Sequence, residues 1–104
     1  MSNERTKMNK SAEIEIVIPA PLRVYTNKQK FVKIKASTIR EGMQILAETY
    51  SGIKNHLFDE NGKIRNFVNI YLNDEDIRNL KAKIDTQLID GQKITILPSI
   101  AGGV

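Results

Sequence analysis

Apolar and polar residues alternate with a period of two in four separate stretches of this chain, and one stretch between them switches to a helical period. That pattern is the strongest constraint on the fold, because alternation sends one set of side chains into a core and the other toward water. In EIEIVI, Ile14, Ile16 and Ile18 fall on one side and Glu13 and Glu15 on the other. FVKIKA repeats the arrangement with Val32, Ile34 and Ala36. FVNIYL sets Val68, Ile70 and Leu72 against Phe67, Asn69 and Tyr71, and KITILP makes the last strand. Between the first two stretches, Pro19 and Pro21 interrupt pairing, since proline has no amide proton to give a ladder. Leu22 and Val24 are expected to resume the strand, with YTNKQK as the turn of a first hairpin.

The helical stretch begins at Thr38, which stands three residues before Glu41 in the spacing of a capping box. Ile39, Met43, Leu46 and Tyr50 then make one apolar stripe, and Ser51-Gly52 is a suitable stop. GIKNHLFDENGKI reads as a short helical turn followed by an Asn61-Gly62 turn. NDED ends the third strand, the segment from Arg78 to Asp90 holds a short strand and a helical turn, and Asp90-Gly91 is a turn. A hairpin, a helix and later strands predict an α+β fold, a mixed sheet packed on one main helix with its other face left to solvent or a partner. Periodicity does not say which strands are neighbours.

A chain of 104 residues, 40% apolar and 27% charged, is one domain with a modest core. Residues 1–12 show no periodicity and are expected to be a disordered tail, residues 13–98 the domain, and residues 99–104 a flexible tail. No apolar run approaches a membrane helix and the start lacks a secretory hydrophobic stretch, so a cytoplasmic monomer is expected. The net charge of +4 is small and partly carried by Arg5, Lys7 and Lys10, which argues for a solvated surface rather than a nucleic-acid binder.

Candidate chemistry within the domain is sparse. The chain has no cysteine and one histidine, His56, which removes thiolate chemistry and argues against a catalytic triad or a multi-histidine metal site. The three acids of Asn73 to Asp76 lack the spacing and glycine of a calcium loop and read as a solvated loop, so no metal site is expected. No phosphate-binding glycine loop occurs, and an enzyme site is not expected. Phe67 and Tyr71, on the strand face opposite the core, are a possible partner surface, better suited to a protein than to RNA.

The end of the chain, ITILPSIAGGV, is more informative. Ser99 to Gly103 follow a strand-ending proline, so this tail should project from the body. Ala101, Gly102 and Gly103 are small, and glycines without a Cβ can pass a narrow channel into another protein's site.

Together, IPAPLR, ETYSGI, FVNIYLNDEDIR and DGQKITILPSIAGG resemble the ubiquitin-like β-grasp sulfur carriers, the family of the molybdopterin synthase small subunit and the thiamine-pathway carrier. Within that family the likeness is greatest to the carrier of cysteine biosynthesis, and it spans roughly Ile14 to Gly103. The resemblance implies a β-grasp fold and a carrier that binds no cofactor of its own. An E1-like adenylyltransferase would use ATP and magnesium to adenylate the carboxylate of Gly103, and sulfur would displace AMP to leave a thiocarboxylate. The acceptor would be a biosynthetic enzyme, either a PLP-dependent synthase or the large-subunit type of molybdopterin synthase. Val104 departs from the family, in which the second glycine is terminal. Removal of Val104 at Gly103, as by a zinc-dependent JAMM-type metallopeptidase, is the expectation; an added residue or a fold-sharing non-carrier are the alternatives. A ubiquitin-like interaction module or protein modifier without sulfur transfer is the runner-up function.

Overall fold

The computed structural model describes residues 11–99. Strand β1 (Ala12–Val17) and strand β2 (Phe31–Ala36) form the expected antiparallel pair, from Ala12 opposite Ala36 to Val17 opposite Phe31. Of the expected N-terminal tail only Ser11 and Ala12 are described, and Ala12 already opens β1. The connection between these strands corrects the sequence expectation: Ala20–Thr26, which includes Leu22 and Val24, is a 3-10 helix rather than resumed strand. Two prolines explain the difference. Pro19 stands at the cap with φ −67°, Pro21 occupies the first turn, and neither could donate to a sheet. Leu22 drops into the core while Val24 stays 71% exposed, so the pair no longer shares a face. Asn27 and Lys28, at φ 56° and 68°, turn the chain back into β2.

Helix α1 (Ile39–Thr49) follows the apolar stripe: Ile39, Met43 and Leu46 have no exposed surface, and Tyr50 packs partly buried at its C-cap. Its start is a capping box shifted by one residue. Thr38 Oγ1 accepts from the Glu41 amide at 3.1 Å, but the Glu41 carboxylate accepts from Ser37, at 2.6 Å from its amide and 2.7 Å from its hydroxyl. A short 3-10 turn, Ser51–Ile53, leads into α2 (Lys54–Leu57), and Phe58 and Ile64 form a bridge around Asn61-Gly62, where Gly62 has φ +80°. That position needs a left-handed backbone, which glycine supplies.

Strand β3 (Val68–Leu72) appears where alternation placed it. NDED is not a plain loop, however. Leu72 pairs with Glu75 and Tyr71 with Asp76, so Asn73-Asp74 is the tip of a hairpin and Glu75–Asp76 is strand β4. Asn73 makes this turn possible by adopting φ 55°, a conformation asparagine tolerates better than most residues. The short strand expected after Arg78 therefore lies earlier, and residues 77–79 and 83–85 are two 3-10 turns. Strand β5 (Lys93–Pro98) closes the sheet.

The five strands run in the order β2-β1-β5-β3-β4, with β5 parallel to β1 and antiparallel to β3. The last strand is thus central. Ile16, Ile94 and Ile96 on the middle strands are fully buried beneath α1, where Gly42 allows the helix to approach Ile94 and Ala36. This is the α+β mixed sheet on one main helix that the element order predicts. Among the described residues, no helix is long and apolar enough to cross a membrane.

Candidate functional site

Cross-strand register assembles one row of side chains over the sheet face that α1 leaves open. Phe31 on β2 lies opposite Val17 on β1, Val17 opposite Thr95 on β5, Thr95 opposite Tyr71 on β3, and Tyr71 opposite Asp76 on β4. Residues directly opposite one another share a face, so the row spans all five strands. Toward the C-terminal end of β5 the next pair is Leu97 with Asn69. Away from it, Lys33, Glu15 and Lys93 form a charged row, followed by Lys35 and Glu13, whose ion pair measures 3.7 Å.

The open face therefore has two halves. The tail-proximal half carries Phe31, Phe67 and Leu97, which are 49%, 40% and 48% exposed, with Tyr71 and Val17 half-buried between them. Val24 and Ile89, the other exposed large apolar side chains among the described residues, are not in these rows. Phe67 and Tyr71 lie on this face as alternation placed them, although Phe67 precedes the first residue of β3. Phe31, Val17 and Leu97 went unnoticed in the sequence. A signal was present: in FVKIKA and KITIL, Phe31 and Leu97 are the apolar residues at outward-facing positions otherwise held by lysine and threonine. Only register shows that they share one half of the face.

The C-terminal exit is tied to the same half. Ser99 donates its amide to the Phe67 carbonyl at 2.6 Å, and Asn69 Nδ2 donates to Ser99 Oγ at 2.9 Å. Ala101, Gly102, Gly103 and Val104 lie outside the described residues.

Other candidates resolve into structural contacts. The His56 ring is exposed and packs on Tyr25 with centroids 4.6 Å apart, a surface structural contact. The Asp76 carboxylate accepts from the Arg78 guanidinium at 2.6 Å and from the Arg78 amide at 2.9 Å, and these bonds hold it below the usual carboxylate range. Asp85 is lowered in the same way by Arg40, and Asp59 chiefly by the Lys63 amide. Hydrogen bonds to the charged form are the largest cause of all three shifts, with attraction to the neighbouring cations adding to them. Among the described residues, no three histidine, aspartate or glutamate side chains converge as a metal site.

Comparison with known proteins agrees with this geometry. A family model described as the ThiS family matches residues 16–103. Sulfur carrier protein CysO of Mycobacterium tuberculosis is 41% identical over 92 residues, covering 86% of this chain and 98% of that protein. CysO in the crystal structure of the Amycolatopsis orientalis BexX/CysO complex superposes with a TM-score of 0.75 at 37% identity, over 86% of this chain and 99% of that one. Small archaeal modifier protein 1 of Methanosarcina acetivorans does so with a TM-score of 0.77 at 26% identity, over 89% and 98%.

Proposed function

This chain belongs to the ThiS family, and from that membership we propose that it is a sulfur carrier that works through Gly103. The observation that carries the proposal is the anchoring of the tail beside an exposed apolar half-face. Gly103 lies four residues beyond Ser99, so its carbonyl carbon reaches at most about 14 Å from that anchor. A partner active site that acts on Gly103 must therefore come down onto the body, and the surface it meets carries Phe31, Phe67, Tyr71 and Leu97.

The chemistry belongs to that partner. A carboxylate is a poor electrophile until one oxygen is converted into a leaving group. The Gly103 carboxylate attacks the α-phosphorus of ATP in an E1-like adenylyltransferase, expelling pyrophosphate, and the partner's magnesium offsets the phosphate charge. A sulfur nucleophile then adds to the acyl carbon and AMP departs, leaving a thiocarboxylate on this chain. Whatever follows Gly103, here Val104, is removed first by hydrolysis, the task of a JAMM-type metallopeptidase, because a peptide bond offers no carboxylate there. The acceptor is a biosynthetic enzyme, with cysteine synthesis by a PLP-dependent synthase favoured by the likeness to CysO. The Amycolatopsis relative is found in a complex with BexX, which supports a partner-docking role for this chain.

The test is intact-mass spectrometry on protein ending at Gly103, incubated with an E1-like adenylating enzyme from its native host, ATP and a sulfur source. The expected product is heavier by the difference between sulfur and oxygen. An unchanged mass with an enzyme proven active on ATP defeats the proposal. Tyr71→Ala with Leu97→Ala is expected to slow thiocarboxylate formation at least tenfold while leaving the melting temperature within a few degrees, as loss of an apolar anchor does. A second reading, a protein modifier joined to lysines, draws on the likeness to small archaeal modifier protein 1; isopeptide-linked conjugates in the native host, in place of thiocarboxylate, are its signature.

A further inference from the structure

A groove of about 500 Å³ lies at the β3–β4 side of the sheet, between α1, the loop of residues 62–66 and the two 3-10 turns that follow β4, and shares Asn69 and Asp76 with the open face. Its lining holds five cations, Arg40, Lys63, Arg65, Arg78 and Lys83, against one carboxylate, Asp76. Its apolar part is made by half-buried Ile64 and Ile84 with the edges of Phe58, Ile70 and Ile77. One side is a sheet edge. The register of β4 covers only Tyr71 and Leu72, and the Val68 amide donates to the Arg65 carbonyl at 3.0 Å, so among the described residues the strand edge on that side is open at Ile70.

We propose that this groove takes an acidic, extended segment of a partner protein, meeting the strand edge at Ile70 with apolar side chains on Ile64 and Ile84 and carboxylates on Lys63 and Lys83. Strand edges recruit extended peptides through backbone pairing, and pockets for alternate side chains select among them. Charge selects the occupant here. Asp76 is held by Arg78 and Asp85 by Arg40, at 2.6 and 2.8 Å, while Asp59 stands near Lys63 and Arg65. Even with those carboxylates counted, the rim keeps an excess of positive charge. Residues 1–10 are basic and residues 100–104 carry no charged side chain. A second copy carries the same net charge of +4 and is repelled. A nucleic-acid backbone would want a polar floor, and this floor is apolar. Lys83 adds a further mark, since it holds φ +48°, an uncommon backbone conformation for a lysine at the rim of a groove. This docking site is independent of the chemistry at Gly103.

The probe is a fluorescein-labelled peptide of alternating aspartate and valine or isoleucine, titrated into the full chain by anisotropy and by amide NMR. Saturable binding is expected, weakened at least about fivefold in Lys63→Glu/Lys83→Glu and weakened by added salt, as rim charges dictate. Amide shifts should concentrate at Ile70 and around Lys83. Both lysines are exposed, so the double variant should melt with the parent. The proposal is overturned if the peptide does not bind, if the double variant binds equally well, or if the shifts fall on Tyr71 and Leu97 instead. An oligothymidylate that binds more tightly than the peptide, or a lysine-for-aspartate peptide that binds as well, overturns it too.

Discussion

The two faces of this single sheet are built from the same strands and behave as different materials. On β5, Ile94 and Ile96 point under α1 and have no exposed surface, while Leu97, next in the chain, is 48% exposed. The covered face is apolar on each of its four longer strands, because α1 closes over it and any polar group there would need a partner. The open face is divided, charged around Glu15 and Lys33 and apolar around Tyr71 and Leu97. Burial explains the first face. The second has no folding reason to gather its apolar residues at the end where the chain exits, and that asymmetry is what points to a partner.

Ile94→Ala should break the covered face, costing about 2–5 kcal/mol in urea unfolding through lost burial and a cavity. Leu97→Ala, three residues on but facing out, should cost no more than about 0.5 kcal/mol. Equal losses would mean that the open face is not open. A smaller effect is expected at the start of α1, where Thr38→Ala removes the oxygen that accepts from the Glu41 amide; a loss of about 1 kcal/mol is expected.

Two glycines sharpen the comparison from the helical side. A Cβ at Gly42 would sit 3.5 Å from Ile94 Cδ1 and 3.7 Å from Ala36 Cβ, ordinary contact distances. Gly42→Ala should therefore raise the melting temperature, by up to about 1 kcal/mol of added stability. At Gly52 the same Cβ would lie 2.9 Å from Tyr25 Cδ1, so Gly52→Ala must displace the ring that packs on His56 and should lower the melting temperature.

The smallest effect concerns acid. Hydrogen bonds from the Ser37 amide and hydroxyl lower the Glu41 pKa below its usual value. A carboxylate lowered by folding stabilises fully above its unfolded pKa and loses that contribution as pH falls through the folded one. Unfolding midpoints measured from neutral pH down into the acid range should fall less steeply for Glu41→Gln than for the parent.

Local patterns made much of this legible in advance. The stripe of Ile39, Met43 and Leu46, the cap at Thr38 and the inward residues of β1, β2, β3 and β5 follow from periods that each segment carries by itself. Where local rules competed, the reading slipped. Pro19 and Pro21 were visible, but whether they break a strand or start a 3-10 helix depends on Leu22 finding the core. Asn73-Asp74 looked like a strand end because a two-residue strand such as β4 has too few side chains to show a period. Of the candidate site, Phe67 and Tyr71 could be placed on a face, whereas Phe31 and Leu97 could not be placed beside them.

By itself the sequence determined which residues of β1, β2, β3 and β5 face in, where the main helix starts and stops, and that small residues follow the last strand. Tertiary structure alone decided that β5 lies between β1 and β3, that the Phe31–Val17–Thr95–Tyr71–Asp76 row exists, and that Ser99 is tied to Phe67 and Asn69. The physical reason is that periodicity is a property of one segment, while register and strand order belong to pairs of segments far apart in the chain. Backbone hydrogen bonds look alike in every pairing, so only the joint fit of all the buried side chains selects one.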